Sequence, residues 1–371
     1  MTRERIVIVG GGPAGLSAAR GYREAGGAGT VQMVSDDDRP PYERPPLTKA
    51  FLRGEAGEDD VALELPEGLE VLFGEAVRLD VDARVVHLAD GRQLLYDGLV
   101  LATGAEPVRL PLEGADGPNV HLLRTVVHAS ALRERVRAGT SVAVIGTGFI
   151  GCEAAASLAM RGARVTVYGQ DPVPQAAVLG EEAGTRIAGW LEDLGADLRL
   201  GRPLDALPDA DVVLMATGVA PRVTLAAAAG LRLGEGSRAI ATDGAMRTTA
   251  DRVYAAGDVA EAQHPVAARP LRVEHWGEAL SQGEVAGRGL AGARVAWDNV
   301  PGFWSTIGEH TLKYSAWGDG YESARLVDHG GGAWTVWYAD AEGACVGVLC
   351  HERDQDYERG GELIAAGELA P

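Results

Sequence analysis

Apolar and polar positions fall into two repeated phrases along this chain. Residues 6–34, IVIVGGGPAGLSAARGYREAGGAGTVQMV, run from a short apolar stretch through a glycine cluster into a small-residue helical pattern, then into a second apolar stretch. Residues 142–168, VAVIGTGFIGCEAAASLAMRGARVTVY, repeat that order. Four-residue apolar runs bounded by glycine read as strands covered on both faces, so each copy predicts strand, helix and parallel strand. The copies begin at residues 6 and 142. That spacing is far too long for a solenoid, and it implies two homologous domains of βαβ type.

Two shorter phrases accompany them. LVLATG (99–104) and VVLMATG (212–218) are each an apolar strand running into Ala-Thr-Gly, and TADRVYAAGDVAE adds a strand ending at Gly257 and Asp258. An acid at a strand end beside a glycine turn can accept from a chain of hydroxyls, or form an ordinary Asx turn. From residue 291 the pattern changes to alternation, as in AWTVWYA, which predicts antiparallel strands; five of the seven tryptophans fall there.

Glycine is the excess that carries chemistry. The chain has 51 in 371 residues, about twice the ~7% background. Gly10, Gly12 and Gly15 form one G-x-G-x-x-G, and Gly146, Gly148 and Gly151 form another. The three positions answer three different needs, which are a tight turn out of the strand, close approach of backbone to a pyrophosphate, and close packing of helix on strand. The helix N-terminus behind them offers unpaired N–H groups to the anion. Both copies sit between an apolar strand and an alanine-rich helix, and this predicts two dinucleotide sites on an α/β fold.

Charge and composition exclude several classes. With 34 basic against 53 acidic residues the net charge is −19, which disfavours nucleic acid and anionic membrane surfaces alike. No apolar run reaches the ~20 residues of a spanning helix, and MTRERIVIVGGG offers no secretory signal, so the expected location is cytoplasmic. Three cysteines are too few and too scattered for a disulfide framework. None of the 8 histidines has metal-ligand spacing, and no metal is expected.

The order of the first glycine motif, PPYERPPLTK (40–49), LVLATG, the second glycine motif, ATG, VYAAGDV, VEHWGEALSQG (273–283) and VPGFWS (300–305) resembles the FAD-dependent NAD(P)H:ferredoxin and rubredoxin reductases. The resemblance covers nearly the whole chain. It implies two Rossmann-like domains of the pyridine nucleotide-disulfide oxidoreductase, or glutathione-reductase-like, fold plus a C-terminal α+β domain. The implied division is an FAD domain of 1–112 and 236–292, an NAD(H) domain of 113–235, and an interface domain of 293–371. The implied activity is electron transfer from NADH through FAD to a ferredoxin or rubredoxin serving an oxygenase such as a cytochrome P450. The alternatives are direct reduction of a small molecule and a redox-sensing flavoprotein without turnover.

Residue roles follow from the same resemblance. Gly10, Gly12, Ala14 and Gly15 would hold the FAD pyrophosphate, Asp36 the adenosine ribose, Val77 the adenine, and Arg124 the FAD phosphates. Arg44, Thr103, Gly104 and Gly257 complete that set, Asp258 would accept from the ribityl chain, and His275 and Trp276 would line the flavin. Gly146, Gly148, Phe149, Ile150, Gly151, Gly169, Gln170, Thr217 and Gly218 would hold NADH. Lys49 against the flavin and Glu153 near the nicotinamide are the expected catalytic pair: negative charge arriving with a hydride is stabilised by a cation, and an adjacent carboxylate keeps a buried lysine charged. Lys49 is one of only two lysines in the chain.

The chain also departs from the family's pattern. Gly169 and Gln170 stand where an acid would bind the ribose 2′-OH of NAD, and no arginine follows nearby for the 2′-phosphate of NADP. The expectation is NADH, with NADPH used less and discrimination weakened. No cysteine precedes Cys152, so the redox C-x4-C of the disulfide reductases is absent after the first helix; Cys345 and Cys350 read as buried packing residues. Cys152 follows Gly151 at a helix start, a place that can lower a thiol's pKa, although packing is its expected role. The last 81 residues hold 5 basic against 13 acidic residues. Docking of an acidic carrier therefore points to the arginines of 269–294, with Arg288 and Arg294 as the expected contacts.

Overall fold

The computed structural model describes residues 4–371, and the chain gathers into two compact units. Unit 1 holds the chain up to Glu43 together with Ala62–Glu106 and Pro221–Pro301; unit 2 holds Arg44–Val61, Pro107–Ala220 and Gly302–Pro371.

In unit 1, strand β1 (Arg5–Val9), helix α1 (Pro13–Glu24) and strand β2 (Thr30–Ser35) realise the first phrase. Their sheet has five strands in the order Val253–Ala255, Gly98–Leu101, β1, β2, Leu69–Phe73, all parallel. β1 lies at the centre with Ile6 to Val9 buried, which is why its sequence is apolar without alternation. Helix α1 packs on the helix Trp276–Leu290 along a seam of small residues. A Cβ added to Gly283 would lie 2.2 Å from the Ala14 carbonyl oxygen, and one on Gly287 would lie 2.0 Å from that of Ala18. Only glycine fits at either point, so part of the glycine excess serves a helix contact that the motif count does not reveal.

Unit 2 repeats the phrase with strand β3 (Ser141–Ile145), helix α2 (Phe149–Met160) and strand β4 (Arg164–Tyr168), followed by β5 (Asp197–Arg199) and β6 (Val212–Met215). The parallel order is β5-β4-β3-β6, closed by Val120–His121. A second sheet of unit 2 is antiparallel, in the order Gly302–Ile307, His310–Ala316, Cys345–His351, Ala333–Ala339, Ser323–Gly330.

AWTVWYA forms the expected strand, Ala333–Ala339, but six of its seven residues are buried rather than every second one. Both faces are covered. Thr335 donates to Asp356 on the C-terminal helix Asp354–Ala366 (2.7 Å), and Tyr338 on the other face donates to the Leu179 carbonyl (2.8 Å). That carbonyl is exposed to Tyr338 by a break in the helix Ala176–Asp193 at Gly180, whose φ of 82° only glycine adopts easily.

Candidate functional site

The two glycine turns are built alike. A Cβ on Gly10 would lie 2.0 Å from the Ala102 carbonyl oxygen, and a Cβ on Gly146 would lie 2.2 Å from that of Ala216. Ala102 and Ala216 are the alanines of the two Ala-Thr-Gly phrases, so the carbonyl that leaves each neighbouring strand is what compels the first glycine. The third glycines pack on the first: Gly15 on the Gly10 carbonyl (2.2 Å to the added Cβ) and Gly151 on that of Gly146 (2.1 Å). Gly12 and Gly148 are the N-caps of α1 and α2, neither helix start has a side-chain cap, and a Cβ at Gly148 would meet nothing within 4 Å. Uncapped N–H groups behind an open backbone are suited to a pyrophosphate.

Around the first cradle, Gly257 (φ 79°) closes on α1, since its added Cβ would meet Ala14 Cβ at 2.9 Å. Asp258 beside it is buried. Gln282, with no exposed surface, accepts from Gly257 N–H (2.9 Å), while its Nε2 has no protein partner. That orphaned donor beside a buried acid fits a site completed by a polar ligand such as FAD. His275 caps the helix that Trp276 begins; burial pushes its imidazole down to about 4, against a small opposing pull from Asp258, so it is neutral at physiological pH.

Asp36 stands just past β2 and pairs with Arg222 (2.6 Å). Arg222 is anchored by both partners of its backbone: its N–H donates to the Gly104 carbonyl (2.9 Å) and its carbonyl accepts from Thr103 Oγ1 (2.8 Å). Arg222 follows the second Ala-Thr-Gly phrase by four residues, but nothing in the sequence joins it to Asp36. Ser35, the last residue of β2, is buried and accepts from Asp37 N–H (3.2 Å). Val77 lies half-exposed on the small antiparallel sheet. The arginines expected to dock a carrier are partly engaged, since Arg288 pairs with Glu284 one helical turn away (2.9 Å) and Arg272 pairs with Glu274. Arg294 has no ion pair among the described residues.

Unit 2 brings Lys49 and Glu153 together. Lys49 Nζ lies 2.6 Å from Glu153 Oε2, with the two side chains only 12% and 5% exposed. Arg44 caps the turn Pro45–Thr48, which delivers both Thr48 and Lys49 to α2. Thr48 Oγ1 donates to the same carboxylate oxygen (2.5 Å), and Ser305 Oγ donates to Oε1 (2.6 Å). The ammonium also donates to the Pro45 carbonyl (3.1 Å) and lies 5.3 Å above the Trp304 ring centroid. Thr48 and Ser305 sit inside the phrases PPLTK and FWS, so the signal for them was present, but nothing in the sequence joined them to Glu153.

The remaining residues expected to hold NADH lie on α2 and just past the ends of β4 and β6. Phe149 packs edge-on against Phe303 (4.6 Å, 77°), Ile150 is half-exposed, and Thr217 Oγ1 donates to the Val108 carbonyl (2.7 Å) beside Gly218 (φ 96°). Gly169 is buried and Gln170 is exposed. Arg124 precedes Thr125, whose Oγ1 caps the helix Val126–Arg135 by accepting from His128 N–H (3.2 Å).

Helix position does not activate Cys152. Its side chain has no exposed surface, and burial pushes the thiol up to about 12, overriding the helix start. Cys345 and Cys350 are buried and free, with thiols raised chiefly by burial, Cys350 to about 12. Among the described residues, no helix is long and apolar enough to cross a membrane, and no cluster of His, Cys, Asp or Glu could hold a metal ion.

Comparisons with known proteins bear on the fold and the family. The family profile described as pyridine nucleotide-disulphide oxidoreductase matches residues 4–283. Rhodocoxin reductase of Rhodococcus erythropolis is 34% identical over 83% of this chain and 77% of its own length. Rubredoxin-NAD(+) reductase of Pseudomonas putida is 32% identical over 83% of this chain and 85% of its own. Among solved structures, the covalent putidaredoxin reductase–putidaredoxin complex superposes with a TM-score of 0.92 at 27% identity, over 99% of this chain and 94% of that one. The ferredoxin reductase for the CYP199A2 system of Rhodopseudomonas palustris gives 0.93 at 27%, over 99% and 96%.

Proposed function

Because this chain belongs to the pyridine nucleotide-disulphide oxidoreductase family, we propose that it is an FAD-dependent reductase drawing electrons from NADH and delivering them to a ferredoxin or rubredoxin that serves an oxygenase. The observation that carries the reading is the pair of matching glycine cradles, with no thiol ionised near neutral pH in either unit. Reduction of a disulfide or a thiol substrate needs a reactive cysteine, and all three here are buried.

We assign FAD to the cradle of Gly10, Gly12, Ala14 and Gly15, with Asp258 and the neutral His275 at its polar end, and NADH to the cradle of Gly146, Gly148 and Gly151. FAD supplies the step between a two-electron donor and a one-electron acceptor. The chain's own contribution is orientation and charge. Helix N-termini hold the pyrophosphates, and Lys49, fixed by Glu153 and Pro45 and laid over Trp304, is a cation placed before any negative charge arrives. Thr48 and Ser305 hold the Glu153 carboxylate, so neither partner of the pair must reorganise. The functional division follows three domains: 1–112 with 236–292 for FAD, 113–235 for NADH, and 293–371 for contact with partners. The carrier docks near Arg288 and Arg294, the latter without an ion pair among the described residues.

Anaerobic titration of the yellow protein with NADH tests the reading. Bleaching of the flavin followed by reoxidation on adding ferredoxin or rubredoxin supports it. Bleaching that no carrier reverses would reject the carrier.

A further inference from the structure

The strand-end acid that selects NAD is missing from the second cradle, and the packing gives the reason. Between the first two glycines of this motif stands Thr147, a mostly buried residue. A Cβ on Gly169 would lie 2.7 Å from Thr147 Cγ2, 3.1 Å from its Oγ1 and 3.1 Å from Leu200 Cδ2. A side chain at 169 therefore collides with the threonine, and Glu or Asp fits only if Thr147 shifts or is replaced by a smaller residue.

The first cradle serves as an internal control. Strand register equates Val34 with Tyr168, each paired to the last residue of its central strand, and hence equates Ser35 with Gly169. Gly11 stands there in place of Thr147, and a Cβ on Gly11 would meet Ser35 Oγ at 2.5 Å. Each cradle thus has room for one side chain at this corner. The first takes it from the strand end, the second from the glycine turn.

The segment that follows β5 runs beside this corner. Gly169 N–H donates to the Arg199 carbonyl (3.2 Å), Gly201 N–H to that of Asp171 (2.9 Å), and Arg202 N–H to that of Gly169 (3.4 Å). The run Arg199 to Arg202 is therefore laced against residues 169–171. Arg199 is held by Asp197 (3.0 Å), whereas Arg202 is exposed and has no ion pair among the described residues. Of the acids on these segments, Asp197 pairs with Arg199, while Asp171 accepts from Gly201 N–H through its carbonyl and has no ion pair among the described residues. Beside the corner that lacks a strand-end acid, the backbone of Arg202 thus brings an arginine without an ion pair among the described residues.

We propose that Arg202 reads the 2′-phosphate of NADPH at this corner, so that the second cradle accepts NADPH as well as NADH, and that Thr147 determines this by keeping position 169 glycine. The inference rests on the nicotinamide-donor reading above and deepens it.

Calorimetric titration of the FAD-loaded protein with adenosine 2′,5′-bisphosphate and with 5′-AMP reads the site without turnover. The bisphosphate should bind tighter by about tenfold or more, the scale of a hydrogen bond to a charged group, and Arg202→Ala should remove most of that advantage. Gly169→Glu alone should lower the yield of folded protein, while Thr147→Gly combined with Gly169→Glu should fold and bind 5′-AMP at least as tightly as the bisphosphate. Equal binding of the two probes by the parent, or an advantage that survives Arg202→Ala, overturns the proposal. Flavin bleaching by NADH but not by NADPH also overturns it while leaving the donor reading intact; bleaching by neither overturns both.

Discussion

Glu153→Gln removes one charge from the buried pair with almost no change of shape. In the parent, the carboxylate accepts from Lys49 Nζ at 2.6 Å, Thr48 Oγ1 at 2.5 Å and Ser305 Oγ at 2.6 Å. The glutamine amide can replace the acceptor on one side only. Its NH2 group then faces either the ammonium or a hydroxyl that previously donated, and Lys49, only 12% exposed, keeps the Pro45 carbonyl and the Trp304 ring but no counter-charge. Removing one member of a buried ion pair costs about 3–5 kcal/mol. The retained carbonyl and ring contacts put the expected loss near the lower bound, about 3 kcal/mol. Urea unfolding of the FAD-loaded protein, followed by tryptophan emission, measures it as a fall in midpoint at constant slope. Lys49→Met combined with Glu153→Gln should lose less than the two single variants added together, because neither then leaves an isolated buried charge. A single-variant loss under about 0.5 kcal/mol, or strict additivity in the cycle, would show that the pair is solvated and refute its role as a fixed cation.

Two further outcomes are expected from the same structure. Native protein at pH 8 should leave all three cysteines unlabelled by a thiol reagent, with full labelling after denaturation; rapid labelling of Cys152 would show that its helix position outweighs its burial. Stability should fall as pH drops from about 6.5 towards about 4, because His275 stays neutral in the fold while the unfolded chain takes up its proton. Above that window both states are neutral and the contribution is complete. Integrated over it, the loss approaches about 3 kcal/mol, and His275→Gln should flatten that part of the profile.

The two βαβ phrases were legible because several local requirements coincide in a few residues: an apolar central strand, glycines where backbone meets backbone, and a small-residue helix. Lys49 and Glu153 were legible only through resemblance, since they are 104 residues apart and neither has a local signature. Thr48, Ser305 and Arg222 act through partners that folding alone brings near, and no spacing rule reaches them. No arginine follows position 169 closely along the chain, as the sequence shows. The arginine proposed for that role, Arg202, stands just past β5, whose pairing with β4 brings this segment beside Gly169. At Cys152 the local rule that a helix start lowers a thiol's pKa is overridden by burial, in keeping with the packing role expected of it.

The glycine seam between α1 and the helix Trp276–Leu290 also bears on how the chain reaches its native state. α1 leaves the ribosome about 250 residues ahead of the helix that covers it, an interval of roughly 13–50 s at ~5–20 residues per second. The strand Val253–Ala255, which completes the first sheet beside Gly98–Leu101, arrives equally late. Throughout that interval β1 and β2 can pair, but Ala14 and Ala18 have nothing against them. Unit 2's parallel sheet, continuous from Val120 to Met215, can close first. Synthesis order thus favours a second glycine cradle that forms early and a first that is finished late, with non-local contacts setting the slow step.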